Sequence, residues 1–187
     1  MSQNSWLHLD DLRESWLFLV VGGAGQSGDR DPSSSASQID YWELGVGNPE
    51  KLVETAVSSL EGINIHSQTE LLSELLDKLA AYRYQKTLLV TPDQSTLQRL
   101  RAALVAADIE KPSLRGFVHV DVESELESQF GQALEDYGLS DHERQPPRMT
   151  DDNQNRIVST GTVKRFWELW TQVYRLIPAH SLQGVAL

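Results

Sequence analysis

Cysteine is absent from all 187 residues, which excludes disulfides, thiol nucleophiles and thiolate metal sites together. Long apolar runs are missing as well. No stretch reaches the roughly 20 residues that cross a membrane, and the N-terminus has no basic-then-apolar leader pattern, so the expected compartment is the cytoplasm. Positive charge is scarce: 16 lysines and arginines stand against 27 aspartates and glutamates, for a formal net charge of −11. A surface of that sign repels the nucleic-acid backbone, although metal ions can mediate the approach of a nuclease. Acidic excess, arginine outnumbering lysine and the missing cysteine together resemble proteins of salt-loving microbes, whose carboxylates keep the surface hydrated. His8, His66, His119, His142 and His180 show no ligand spacing such as H-x-x-x-H, which argues against zinc. The serines of the Ser33–Ser37 tract lie in no G-x-S-x-G elbow, so serine hydrolase chemistry has no support.

What is present suits a single domain over residues 1–187, with 40% hydrophobic content and no second composition regime. Ser15-Trp-Leu-Phe-Leu-Val-Val21 is an apolar run rich in β formers and reads as a first central strand. Gln38-Ile-Asp-Tyr-Trp-Glu-Leu-Gly45 alternates and reads as its antiparallel hairpin partner. Two mobile loops are expected, about residues 24–37 and 138–157, where Ser, Asp, Gly, Asn and Pro accumulate. Asn48-Pro49 reads as the cap of a short helix carrying Leu52, Val53, Ala56, Val57 and Leu60.

Two strand-then-helix units follow. Ile63–Ser67 alternates like a half-buried strand, and Ser67-Gln-Thr-Glu70 is a capping box before Leu71, Leu72, Leu75, Leu76 and Leu79 at the helical period. Lys86–Val90 is a second apolar strand; Thr91-Pro-Asp-Gln94 is a further capping box, with Pro92 at the first helical position and Leu97, Leu100, Leu104 and Ala107 as the buried stripe. Gly116–Val120 is another strand, with Asp121 as N-cap of a helix whose buried side carries Val122, Leu126, Phe130 and Leu134. His119 reads as a solvent-facing or hydrogen-bonded sheet residue. The last helix, stopped by Pro178, presents Phe166, Trp167, Trp170 and Tyr174 on one face, as a core stripe or as aromatic anchors for a partner. The element order implies an α/β protein whose mixed sheet starts with an antiparallel hairpin and carries helices on both faces.

Gly23-Ala-Gly25-Gln-Ser-Gly28 matches the spacing of a dinucleotide fingerprint. That motif works by resting a pyrophosphate on a helix N-terminus, and the acidic, helix-poor segment from Asp29 to Ser37 supplies none, so it reads as a hairpin loop.

The two-strand start, the Ile63–Ser67 segment followed by Glu70-Leu-Leu, the phrase Leu88-Leu-Val-Thr-Pro-Asp-Gln-Ser-Thr-Leu-Gln-Arg-Leu100, Val118-His-Val-Asp121 and the segment His180–Ala186 together resemble the ribonuclease H-like 3′–5′ exonuclease domain, in the version attached to family B DNA polymerases. The resemblance implies a nuclease scaffold in which carboxylates hold two metal ions that position the attacking water. The departures fall on that chemistry. Val20, Val21 and Gly22 stand where the acidic pair of the first strand is expected, Thr96 stands where the second motif has its aspartate, and the sequence ends at Leu187, where the last acidic helix is expected to begin.

The resemblance therefore implies a scaffold without catalytic residues or cofactor, acting as a binding or accessory module in DNA replication or repair, with a protein partner or second copy and no membrane. Binding to nucleic acid is left open. The alternative is an active metal-dependent nuclease using Asp40, Glu43, Asp93 and Asp121 with Mg²⁺ or Mn²⁺, Asp93 and Asp121 being the pair that could share one ion at the carboxyl edge of the sheet. Against it, both aspartates suit plain helix caps. A third reading is a small doubly wound regulatory or ligand-binding protein, and an all-parallel sheet would favour it.

Overall fold

A computed structural model describes residues 15–23, 38–62, 65–83, 87–109, 114–141, 143–151, 156–177 and 184–187. The dinucleotide-like motif beyond Gly23, the loop at 24–37, and His8, His142, Pro178 and His180 lie outside the described residues. Strand β1 (Ser15–Gly22) stands inside a six-stranded sheet of order β3-β2-β1-β4-β5-β8. Strands β2 (Tyr41–Gly47) and β3 (Leu52–Ser59) form an antiparallel meander with it, β4 (Thr87–Thr91) and β5 (Val118–Asp121) run parallel to it, and β8 (Val185–Ala186) closes the far edge antiparallel to β5. The sheet is mixed and starts with the hairpin expected from the two alternating segments. A two-stranded ribbon pairs β6 (Arg148–Met149) with β7 (Ile157–Val158).

Period-two alternation along β1 divides the core. Trp16, Phe18 and Val20 face one layer, with α4 (Thr162–Leu176) and α3 (Val122–Phe130); Leu17, Leu19 and Val21 face the other, with α1 (Gln68–Ala80) and α2 (Gln94–Ala106). All six side chains are at most 1% exposed, and burial of each is worth about 1.5–3 kcal/mol. Helix α4 lies close on the sheet because Gly45 has no Cβ: one added there would meet Val163 Cγ1 at 2.4 Å. Its aromatic stripe enters the core. Trp170 is wholly buried, with Trp16 and Tyr174 stacked edge-on at 4.9 Å between ring centres, while Trp167 and Tyr174 are half-buried and Trp167 Nε1 donates to the Asn48 carbonyl at 3.0 Å. Trp170 is thereby unavailable to a partner. Among the described residues no helix is long and apolar enough to cross a membrane.

Three local expectations need correction. The segment from Leu52 is a strand and not a helix: Asn48 accepts from the amides of Glu50 at 2.8 Å and Lys51 at 3.0 Å, building a tight turn that sends β3 back along β2. Val53, Thr55 and Val57 are β-branched and suit that edge position. The described part of the supposed strand at 63–67 is not strand, since β3 already holds that place in the sheet. The cap of α2 is Asp93, two residues after Thr91, which leaves Pro92 before the helix. Elsewhere the caps stand where the sequence puts them. Ser67 Oγ accepts from Glu70 N at 3.2 Å, and the Glu70 carboxylate reaches back to His66 N at 2.7 Å. Helix α3 ends at a left-handed Gly131, leaving Phe130 at 38% exposure and placing Leu134 in a separate 3₁₀ turn (Leu134–Tyr137). The polar stretch after Leu139 carries a buried arginine, Arg144.

Candidate functional site

The carboxyl ends of the parallel strands β1, β4 and β5 open on one edge, where the helices following β4 and β5 begin. Asp93 starts α2 there. Its Oδ1 accepts from Thr96 N at 2.8 Å, Thr96 Oγ1 at 2.9 Å and Ser95 Oγ at 2.7 Å, and its Oδ2 is paired with Arg144. Arg144 is 4% exposed. Its Nε donates to the Leu139 carbonyl at 3.0 Å and a terminal nitrogen lies 3.5 Å from Asp141, which Arg99 binds in turn at 3.1 Å. Burial would raise the proton affinity of Asp93; the Arg144 guanidinium and the hydrogen bonds from Ser95 and Thr96 outweigh it and hold the carboxyl below the usual aspartate range. The result is a dry ion pair with its donors satisfied.

Beside it, the end of β1 is filled by an aromatic ring. Tyr41 opposes Gly22 in register, and a Cβ on Gly22 would meet the ring at 2.3 Å, so no carboxylate-bearing side chain fits at that position without displacing the ring. Burial first, then the Glu43 carboxylate, pushes the Tyr41 hydroxyl up to about 12, with Arg144 opposing. Glu43 lies opposite Val20 on β2 and is 1% exposed. Its Oε2 accepts from Ser159 Oγ at 2.9 Å, and its Oε1 has no hydrogen-bond partner among the described residues. Burial raises its proton affinity, with Ser159 and the Val163 amide opposing. In the folded state Glu43 therefore holds a proton to higher pH than in the unfolded chain, so its contribution to stability is present below about pH 4.5 and is lost as pH rises through the folded value. Urea denaturation between pH 4.5 and 7.5 is expected to show wild type losing stability relative to Glu43→Gln with rising pH; parallel curves would contradict the assignment.

The candidate carboxylates do not gather into one cluster. Asp40 sits at the start of β2, its carboxylate accepting from Gln38 Nε2 at 3.1 Å. Asp121 caps α3 through Ser124 N at 2.8 Å and lines a separate cavity. Thr96 is a capping partner of Asp93 rather than a free edge residue. Sequence reasoning missed Arg144, Tyr41, Ser159 and Glu123. Glu123 has its proton affinity raised by partial burial and then by the nearby Asp93 and Asp121, with Arg144 opposing. His119 is buried and hydrogen-bonded to Thr91 through its Nε2, as one of its two expected roles.

No protein-family model matches the chain, and no curated protein matches it. Solved structures do. A 3′-exonuclease, from work on 3′-end specific recognition of a histone mRNA stem-loop, superposes with a TM-score of 0.61 over 94% of this chain and 92% of that one, at 10% identity. A full-length 3′-exonuclease gives 0.61 over 94% and 92% at 9% identity. The nuclease domain of 3′hExo, a DEDDh family member bound to rAMP, gives 0.56 over 92% and 96% at 11% identity. This chain has the ribonuclease H-like exonuclease fold. At this edge Asp93 is engaged by Arg144 and its capping donors, and the Tyr41 ring fills the space beside Gly22. Among the described residues, no group of three or more His, Cys, Asp or Glu side chains is placed to hold a metal ion.

Proposed function

We propose that this chain is a non-catalytic exonuclease-like module that serves by binding, as an accessory domain in DNA replication or repair. One observation carries the reading: Asp93, the carboxylate that the active-nuclease alternative needs at this edge, is neutralised by an arginine of the same chain, Arg144. A protein partner of lower or opposite charge suits a net charge of −11 better than a bare nucleic-acid backbone does. The link to replication rests on the sequence resemblance to the domain attached to family B polymerases.

A second reading, an active metal-dependent 3′–5′ exonuclease, draws on the unpartnered Oε1 of Glu43 and on Glu123 standing near Asp93 and Asp121. One assay separates the two. End-labelled single-stranded DNA and RNA are incubated with the full chain in Mg²⁺ or Mn²⁺, at low and high salt, with calorimetry of Mn²⁺ in parallel. The expected result is intact substrate and no saturable metal binding. Shortening from the 3′ end that disappears in both Glu43→Gln and Asp93→Asn would overturn the non-catalytic reading.

A further inference from the structure

A cavity of about 430 Å³ opens between α2 and α3, over β5 and β8, and among its described walls are neither Asp93 nor Arg144. It is of ligand size. His119 lies in its floor at 6% exposure. Thr91 Oγ1 donates to the Asp93 carbonyl at 3.1 Å and lies 2.7 Å from His119 Nε2, so the hydrogen of that second contact belongs to Nε2. Nδ1 then carries a lone pair, and it has no partner among the described residues. Burial, with the Arg101 charge nearby, lowers the basicity of the ring against the opposing pull of Asp121, so the lone pair persists at neutral pH. Asp121 adds a second acceptor, since among the described residues only its Oδ1 is bound, by Ser124 N at 2.8 Å.

The opposite wall is cationic and leads to an apolar space. Arg101 is exposed and makes no hydrogen bond or ion pair among the described residues. It lines both this cavity and an adjoining one of about 680 Å³, walled by Leu104, Val105 and Leu114, and Leu187 is common to the two. His119 Nδ1 and Asp121, with Glu125 in the same lining, are followed by Arg101 and then by a largely apolar extension whose walls also include Arg115. A phosphate would meet the Asp121 carboxylate, and an uncharged apolar ligand would leave Arg101 and His119 unanswered.

We propose that the joined cavities bind a free α-amino acid with a large apolar side chain, its ammonium on His119 Nδ1 and Asp121, its carboxylate on Arg101 and its side chain against Leu104, Val105 and Leu114. The site shares Asp121 with the carboxyl edge of the sheet, but its described walls include none of Glu43, Asp93 and Arg144. Calorimetry on the full chain with L-phenylalanine, L-tryptophan and glycine tests it. The two large amino acids are expected to bind saturably and glycine about tenfold or more weaker, because it leaves the apolar cavity empty. Phenylalanine amide and N-acetylphenylalanine, which lack the carboxylate and ammonium charges, are each expected to bind about tenfold or more weaker, as is phenylalanine to Arg101→Ala. Arg101 is exposed, so that variant keeps its fold, checked by circular dichroism. No saturable binding of phenylalanine or tryptophan at millimolar concentration would overturn the proposal, as would binding unchanged by Arg101→Ala or by loss of either ligand charge.

Discussion

Arg144→Ala is expected to lower the unfolding free energy by about 3–5 kcal/mol, the range for removing one partner of a buried ion pair. The variant leaves Asp93 at 6% exposure without its cation, and it also strips a donor from the Leu139 carbonyl that Arg144 Nε binds at 3.0 Å. Most of the loss is the cost of an unpaired charge rather than the worth of the pair. Replacing both partners by apolar side chains of similar volume, Asp93→Leu with Arg144→Met, should therefore cost much less than the two single losses added together. The α2 cap lost with Asp93 sets a residual cost of about 1 kcal/mol. Urea denaturation of the four forms completes a double-mutant cycle, and additive losses would show that the pair is not coupled. Acid gives a second check. The Asp93 carboxyl is held below its ordinary value of 3.8, so the stability it brings is fully present above that pH and is lost as pH falls through the lower folded value; Arg144→Ala should flatten that part of the acid profile.

Trp16→Ala should be comparably severe, about 3–5 kcal/mol, through lost transfer energy and the cavity left behind. Trp16 is 0% exposed and holds β1 to α4: its ring meets Trp170 at 6.0 Å, Tyr174 at 4.9 Å and Phe18 at 6.1 Å between centres. These pairs are edge-on, which adds to the area term. Trp16→Phe keeps an aromatic face and should recover more than half of the loss. A loss below about 1 kcal/mol for Trp16→Ala in equilibrium unfolding would mean that α4 does not dock as described.

The β1 strand and the helices α1, α2 and α3 were legible because each rests on a local signal. β1 is an unbroken apolar run, as a strand buried on both faces must be, and the starts of α1 and α3 carry their own capping side chains. β3 was not legible. Leu52, Val53, Ala56 and Val57 satisfy a helical period as well as an alternating one over so short a stretch, and the pairing with β2, unseen in sequence, decided between them. β8 is two residues long and exists only through its bonds to β5.

The candidate site follows the same division. Asp93 and Asp121 could be placed at helix starts because a cap acts within three residues. Arg144 could not be placed beside Asp93, since the two are 51 residues apart, and Ser159 reaches Glu43 across 116. By itself, then, the amino-acid sequence determined the α/β class, the antiparallel start of the sheet, most helix starts and the absence of thiol chemistry, all of them consequences of composition or of periods and caps a few residues long. Only the tertiary structure decided that an arginine neutralises the edge carboxylate, that a tyrosine ring fills the end of β1 and that His119 is buried in a cavity wall with its Nε2 against Thr91, because charge pairing and desolvation depend on which distant residues the folded sheet brings together.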